Sequence, residues 1–183
     1  MPRRVIWSRA ISGVMPGTWT RRLMQSAPEA SSADSRSSAT HTLVSKPTTV
    51  VPVRCAIDAA WSNYGDGFPG TFGVPALTSS SLPVLGTSVT VDLANSCGQW
   101  TFALLFEGFE RASIHSSLGG DLLLVPSMIT VVGLPPWGAT YSADLPTNGV
   151  FCGVTIDVQA IESDPGAVKG ASFTEGLELL LGH

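Results

Sequence analysis

The sequence predicts an all-β fold, an antiparallel β-sandwich of about eight strands, with a disordered N-terminal segment in front of it. From residue 53 onward, short apolar runs alternate with turn signals at the spacing expected of a sandwich or barrel. Several runs alternate apolar and polar residues with a period of two, which directs one face of each strand into a core. The 19 glycines, the 13 prolines and the low charged fraction of 13 % favour many short strands over long helices.

The chain divides into two parts near residue 52. Residues 25–52 are rich in Ser, Thr, Ala and Pro, and this composition buries too little apolar surface to offset the entropy of ordering. We predict that residues 1–52 form a disordered leader and linker and that residues 53–183 form the β-sandwich module. A module of this length has room for one hydrophobic core.

Two segments show the clearest strand pattern. In residues 88–93 (SVTVDL), Val89, Val91 and Leu93 share one face. In the segment CGVTIDVQA, the set predicted to face the core is Cys152, Val154, Ile156, Val158 and Ala160. Each segment therefore predicts a strand with one buried and one polar face.

A third strand is predicted over residues 100–107, where one face is apolar and the other is mixed, as in a central strand. Its core-facing residues are expected to be Trp100, Phe102, Leu104 and Phe106. Alternation also predicts a strand over residues 139–145. Weaker strands are expected near residues 75–78, 121–125, 128–132 and 173–180, separated by turns rich in Gly, Pro, Asn and Asp.

The charge of the chain is distributed unevenly. Beyond residue 63 the only cationic residues are Arg111 and Lys169, whereas eleven of the 14 acidic residues lie there. Such a module repels phosphate backbones, because nucleic-acid binding depends on cationic side chains that displace counterions. Nucleic acid is therefore not an expected partner. The negative charge of the module favours binding of a cationic ligand or a metal ion instead.

The three cysteines form neither a CxxC pair nor a set with histidine at zinc-ligand spacing. If the protein is exported, Cys97 and Cys152 are the preferred disulfide pair and Cys55 is the spare thiol. The simpler alternative is that these two cysteines remain unpaired thiols in the core or in loops. The number of cysteines does not decide between an oxidising and a reducing compartment.

No membrane span is expected. The longest apolar region, residues 122–137, is interrupted by prolines, a serine and a glycine and is shorter than the roughly 20 residues that a membrane helix needs. Arg3 and Arg4 give the chain a basic start, but polar residues interrupt the stretch 5–19, which argues against a signal peptide there.

Long strings within residues 61–182 carry a family resemblance. The strings are WSNYGDGFPGTFGVPAL, LPVLGTSVTVDLANSCG, ALLFEG and DLPTNGVFCGVTIDVQAIESDPGAVKGASFTEGLELLLG. This region resembles the C-terminal β-rich module of large secreted or surface proteins of planctomycetes and related bacteria. The resemblance implies an extracellular or cell-surface location and a non-catalytic accessory role, with other domains or surface polymers as partners.

Catalytic residues are not predicted. The histidines are His41, His115 and His183. They accompany no GxSxG elbow, so a nucleophilic triad is not expected. Glycoside hydrolysis needs two carboxylates roughly 5–10 Å apart, and the acids considered for it are Glu107, Glu110 and Asp157. Their positions in strands and turns predict solvated acids instead, with Asp157 on an outer sheet face.

Metal and cofactor sites are not predicted either. The segments YGDG at 64–67 and ESDPG at 162–166 offer oxygen ligands, but neither has the DxDxDG spacing of a calcium loop. Turn formation explains both segments, because Asp before Pro-Gly favours a β-turn and glycine allows backbone angles that other residues avoid.

Aromatic residues that are expected to be exposed indicate a possible carbohydrate-binding function. Trp61, Tyr64 and Trp137 are the candidates for stacking a sugar, since they lie at the edge of the module or in loops, whereas Trp100 is expected to pack in the core. The leading hypothesis is a non-catalytic accessory module with a structural or attachment role. A carbohydrate-binding module is the first alternative, and a small hydrolase that uses the acids is the second.

Overall fold

The computed structural model describes residues 55–183 and the short strand Arg3–Arg4, and these residues form β-sheets with one short 3-10 turn at Gly149–Phe151. The strands are β1 (Arg3–Arg4), β2 (Ala60–Tyr64), β3 (Leu77–Ser79), β4 (Ser88–Leu93), β5 (Thr101–Gly108), β6 (Arg111–His115), β7 (Asp121–Leu124), β8 (Met128–Leu134), β9 (Ala139–Asp144), β10 (Thr155–Ser163), β11 (Ala171–Phe173) and β12 (Gly176–Leu180). The prediction of an all-β fold is confirmed. Residues 1–52 were predicted to be disordered. Apart from β1, they lie outside the residues that the structure describes.

Two sheets form the sandwich. The first has the order β1-β9-β4-β3, and the second has the order β2-β12-β10-β5-β8 with β11 paired to β10. The pairings between described strands are antiparallel, except that β1 runs parallel to β9. In the described residues, no helix is long and apolar enough to cross a membrane.

The inner faces of the two sheets share one core. The first sheet contributes Leu77, Val89, Val91, Leu93, Tyr141 and Ala143. The second contributes Ala103, Leu105, Val132, Leu134, Ile156, Val158, Ala160, Leu177 and Leu179. Side chains that alternate along a strand point to opposite faces, so these sets are the inward halves of their strands.

The hairpin β6–β7 covers part of the outer face of the second sheet. Gln159 on β10 is fully buried beneath it, and its Oε1 accepts a hydrogen bond of 2.9 Å from the Leu123 backbone N–H. Its Nε2 donates to the backbone oxygens of Asp121 at 3.0 Å and Thr174 at 2.9 Å. Because every polar atom of the amide has a partner, a polar residue can be buried here at low cost.

The structure has more strands than the sequence indicated. Eleven strands lie between residues 55 and 183, whereas about eight were predicted, and the segment 173–180 is divided between β11 and β12. The strands without a prediction are β2 and β6. Both are polar (AWSNY and RASIH) and largely exposed or half-buried, so they lack the apolar alternation that marks a strand in sequence.

The predicted faces of β5 are wrong. Ala103 and Leu105 face the core, whereas the side chains of Trp100 and Phe102 are each 67 % exposed. Both faces of this segment carry apolar residues, so local alternation does not choose between them reliably, and a shift of one residue exchanges the two faces. Pairing decides the outcome: Ala103 and Leu105 lie opposite Val132 and Thr130 of β8, and Val132 faces the core with them.

The predicted disulfide is also wrong. Cys55 is bonded to Cys152 with their Cα atoms 5.3 Å apart, and Cys97 is a free thiol. The C-terminal residues bring the bonded pair together: the His183 N–H donates to the Ile57 oxygen at 3.0 Å, and the Gly153 N–H donates to the Leu181 oxygen at 2.9 Å. The Cys97 loop is held elsewhere, because its backbone N–H donates to Glu162 Oε1 at 3.1 Å.

Candidate functional site

Two tryptophans form an exposed corner at one end of the sandwich. The side chain of Trp137 is 81 % exposed, and it meets Trp100 with ring centroids 6.4 Å apart and ring planes at 82°. Edge-to-face packing at this distance is a favourable arrangement of two aromatic rings. The two rings therefore contact each other while most of their surface remains in solvent.

The turn between β8 and β9 places Trp137. The Gly138 N–H donates to the Pro135 oxygen at 2.9 Å, and Gly138 has a φ of +86°, which favours glycine. A Cβ at Gly138 would come within 2.6 Å of the Leu93 backbone oxygen. Close approach of this turn to the end of β4 thus requires glycine directly after the tryptophan.

Trp100 lies immediately before β5 and reaches across to β8. A Cβ at Gly133 would lie 3.6 Å from the Trp100 ring, so the ring passes over a position that has no side chain. Leucine or phenylalanine at this position would fill the space that the indole now occupies. The absence of a side chain at Gly133 therefore leaves room for the Trp100 ring beside β8.

A cleft of about 840 Å³ opens beside the tryptophans. One wall carries a polar row, Thr78, Asp92 and Thr140, which are paired in register across β3, β4 and β9. The Thr140 hydroxyl donates to Asp92 Oδ1 at 2.6 Å. The cleft thus combines exposed aromatic faces with an oriented set of hydroxyl and carboxylate groups, as small-molecule sites commonly do.

The other two aromatic candidates lie away from this cleft. Trp61 is half-buried against the hydrophobic core, on the inner side of β2. Tyr64 is on the outer side, where the Arg111 guanidinium lies 3.9 Å from its ring centroid and its hydroxyl donates to the Leu123 backbone oxygen at 3.3 Å. Of the three predicted residues only Trp137 lines the cleft. The other tryptophan there is Trp100, which was expected in the core and is exposed because the opposite face of β5 is buried.

Two of the candidate acids are buried, contrary to the prediction that they are solvated. Glu107 is 4 % exposed and lies opposite Val158, which places it on the inner face of β5. Burial raises the pKa of Glu107 to about 8, and its Oε1 has no hydrogen-bond partner. Glu110 is exposed, as expected of a turn acid.

Asp157 is 2 % exposed and lies on the outer face of β10, beneath the β6–β7 hairpin. Arg111 approaches it with Nε 3.5 Å from Oδ1, and the same guanidinium pairs with Glu178. Burial raises the pKa of Asp157, while the nearby Tyr64 hydroxyl and Arg111 lower it. Burial also raises the pKa of Tyr64. This cluster fastens the hairpin to the sheet and lies outside the residues that line the cleft.

Three sequence motifs that carry the family resemblance meet around Glu162 and Asp164. Glu162 Oε2 accepts hydrogen bonds from Ser96 N–H at 2.9 Å, Ser96 Oγ at 2.6 Å and Ser172 Oγ at 3.1 Å. Asp164 accepts from the Thr71 backbone N–H and hydroxyl, each at 2.6 Å. Asp164 of the DPG segment therefore holds the PGT segment, and Glu162 beside it holds the NSCG segment, which gives these segments a structural role.

The close packing of these segments requires glycine at position 70. A Cβ there would lie 2.2 Å from Ser96 Oγ and 2.3 Å from Asp164 Oδ2. The hydrogen bonds from Thr71 and Gly166 lower the pKa of Asp164, although burial raises it. The Asp164 carboxylate already accepts these hydrogen bonds, so the ESDPG segment forms a turn and does not present Asp164 as a free ligand for a metal ion.

His115 lies on the exposed hairpin, where its Nδ1 is 2.8 Å from Asp121 Oδ1. Hydrogen bonds from His115 and Ser113 lower the pKa of Asp121. Among the described residues, no group of three or more His, Cys, Asp or Glu side chains is arranged to hold a metal ion. His41 lies outside the described residues.

The chain matches no family model, no curated protein and no solved structure. The resemblance to the planctomycete modules therefore remains a prediction that rests on the residues quoted above.

Proposed function

We propose that the protein is a non-catalytic accessory module of an extracellular or cell-surface protein and that it attaches by binding carbohydrate in the Trp100–Trp137 cleft. The observation that carries the proposal is the exposed, perpendicular pair of indole rings at the mouth of this cleft. The module would thus attach its parent protein to a surface by binding a glycan that the surface carries.

Stacking supplies the physical reason. The C–H face of a sugar ring is apolar and packs against an aromatic ring, while its hydroxyls need hydrogen-bond partners. The cleft offers both kinds of contact, since Asp92 and Thr140 lie beside the indoles. Two tryptophans that remain mostly exposed in an otherwise packed module indicate an interaction surface, because soluble proteins seldom expose such groups together.

The disulfide supports export. A bond between Cys55 and Cys152 persists in an oxidising compartment, whereas cytosolic thiols are kept reduced. The resemblance to modules of secreted and surface proteins points the same way. Both arguments concern the location of the module and do not depend on the nature of its ligand.

Hydrolysis is the weaker alternative for physical reasons. Glu107 and Asp157 extend from opposite faces of the second sheet, so they do not confront a common substrate. A glycosidase of the usual kind needs two carboxylates across one cleft. Asp92 is the single carboxylate among the described residues that line the Trp100–Trp137 cleft.

The test is binding of the full chain to an array of neutral and acidic polysaccharides, compared with Trp100→Ala and Trp137→Ala. Each variant is expected to lose at least about tenfold in affinity for the glycan that the wild type selects, equivalent to about 1.4 kcal/mol. Phe109→Ala is the matched control, because Phe109 is an exposed aromatic outside the cleft. Unchanged binding in both tryptophan variants, or no binding by the wild type, would refute the proposal.

A further inference from the structure

The angle between the two indole rings limits the form of the ligand. Planes at 82° do not make a flat platform, so both rings cannot stack on the coplanar sugars of a crystalline polysaccharide surface. A corner of this shape holds one sugar ring, with one face on an indole and one edge against the other. The ligand that fits is therefore a single glycan chain that is not packed into a crystalline array, whether it is free or extends from a surface.

The polar row in the cleft continues along the outer face of the first sheet. Asp92 and Thr140 form its first rung, Thr90 and Ser142 the second, and Ser88 and Asp144 the third, each paired in register between β4 and β9. The Thr90 and Ser142 hydroxyls are 3.2 Å apart, and the Ser88 hydroxyl donates to Asp144. Alternate residues on a strand point to the same face, so the three rungs form one continuous track.

The length and chemistry of the track suit a chain of several sugars. From Asp92 to Ser88 is four residues, or about 13 Å at the rise of an extended strand, which is longer than one sugar ring. The side chains of the rungs bring hydroxyls and two carboxylates but no cation. Such groups exchange hydrogen bonds with sugar hydroxyls, whereas carboxylates would repel an acidic sugar at close range. The backbone of β1 borders the track, with Arg4 in register with Ser142.

We propose that a single linear, uncharged glycan chain binds with one sugar in the Trp100–Trp137 corner and the following sugars along the three rungs of β4 and β9. This inference rests on the proposed function, because the corner is its first binding position. It adds a ligand class and a set of binding residues, namely Ser88, Thr90, Asp92, Thr140, Ser142 and Asp144.

Isothermal titration of the full chain tests the track. The probes are cellohexaose, xylohexaose, mannohexaose and chitohexaose with their disaccharides, a galacturonic acid hexamer, and crystalline cellulose powder. At least one neutral hexasaccharide is expected to bind at least tenfold more tightly than its own disaccharide. The acidic hexamer and the powder are expected to bind less tightly than that hexasaccharide.

Variants separate the two proposals. The double variant Thr90→Val with Ser142→Ala is expected to bring the affinity for the hexasaccharide to within threefold of that for the disaccharide, because it removes both hydroxyls of the second rung. Trp137→Ala is expected to abolish binding of both saccharides. Unfolding curves that match the wild type check the fold of each variant, and Thr90→Ser with Ser142→Thr, which keeps both hydroxyls, should retain the preference for length.

The outcomes are distinct. An unchanged hexasaccharide-to-disaccharide ratio in the Thr90→Val and Ser142→Ala variant would overturn the track and leave the corner standing. Preferential binding of the powder or of the acidic hexamer, still lost in Trp137→Ala, would overturn the ligand class while keeping carbohydrate binding. No binding of any probe, with an empty array, would overturn both proposals.

Discussion

Cys55 is bonded to Cys152, and the bond joins two positions that are 97 residues apart in sequence. It connects the first described residue of the module to the loop that precedes β10, next to the C-terminal residues. Most of the sandwich, from β2 to β9, lies inside the loop that this bond closes.

Reduction of the disulfide should lower the free energy of unfolding. A cross-link over about 100 residues is worth up to about 4.7 kcal/mol through the entropy of the unfolded chain, and losses of about 2–5 kcal/mol are typical. The measurement is urea unfolding with and without reductant. Cys55→Ser with Cys152→Ser should match the reduced wild type, while Cys97→Ser should stay sensitive to reductant. Equal stability of oxidised and reduced protein would show that the bond does not hold the fold.

Glu107 should make the module less stable as the pH rises. Its folded pKa of about 8 exceeds the ordinary value of 4.5, so between these values the folded state binds more protons than the unfolded state. The contribution is fully present below about pH 4.5 and is lost as the pH rises through about 8, up to a total of about 5 kcal/mol at 1.36 kcal/mol per pKa unit.

The variant Glu107→Gln isolates this effect. Glutamine keeps the shape and does not titrate, so the fall in stability from pH 5 to pH 8.5 should be smaller in the variant than in the wild type. Glu110→Gln is the control, because Glu110 is an exposed acid close by in sequence. Parallel stability curves for the wild type and Glu107→Gln, measured by urea unfolding, would contradict the assignment.

Arg111→Ala should destabilise the hairpin β6–β7. The substitution leaves Asp157 buried without its cation and removes the guanidinium from the Tyr64 ring. Loss of one partner of a fully buried pair costs about 3–5 kcal/mol, and the half-exposed arginine reduces this to about 1–3 kcal/mol here.

Lys169→Ala controls for the loss of a positive charge, since Lys169 is the only other Lys or Arg beyond residue 63 and is exposed. Its unfolding free energy should change by less than about 0.5 kcal/mol. Hydrogen exchange offers a local measure: protection of the β6 and β7 amides should fall in Arg111→Ala before that of β5. A similar loss in both variants would indicate a general charge effect instead.

Glu162→Gln should disrupt the buried hydrogen bonds that hold the NSCG segment against Ser172 and the end of β10. The carboxylate accepts bonds from Ser96, Cys97 and Ser172, and an amide nitrogen in place of one oxygen would face donors. A lost hydrogen bond to a charged group costs about 1.5–3 kcal/mol. Thermal unfolding should show this loss for Glu162→Gln and almost none for the exposed Glu175→Gln. Equal thermal unfolding midpoints for the wild type and Glu162→Gln would show that the hydrogen bonds of Glu162 do not stabilise the fold.

Local alternation was a sufficient guide where only one face of a strand is apolar. The strand β4 was predicted with its observed bounds, 88–93, and Val89, Val91 and Leu93 lie in the core. Ile156, Val158 and Ala160 are likewise buried as predicted. The strand β9 differs from its prediction by a single terminal residue. In these segments the alternation with a period of two predicts both the strand and the face that is buried.

Long-range pairing decided the features that alternation could not. The outer face of β10 reads as solvated, yet Asp157 and Gln159 are buried because the β6–β7 hairpin, which comes from a distant part of the chain, covers them. The exposure of Trp100 depends on which neighbour β5 meets, and the Cys55–Cys152 bond depends on where the C-terminal residues return.

The sequence by itself determined the all-β class, the positions of the well-alternating strands and the acidic character of the module, because these depend on composition and on residues close together in the chain. Only the tertiary structure decided the disulfide partners, the buried acids and the pairing of Trp100 with Trp137. Each of these joins residues from strands or loops that are separate in sequence, and their contacts exist only after the two sheets have packed.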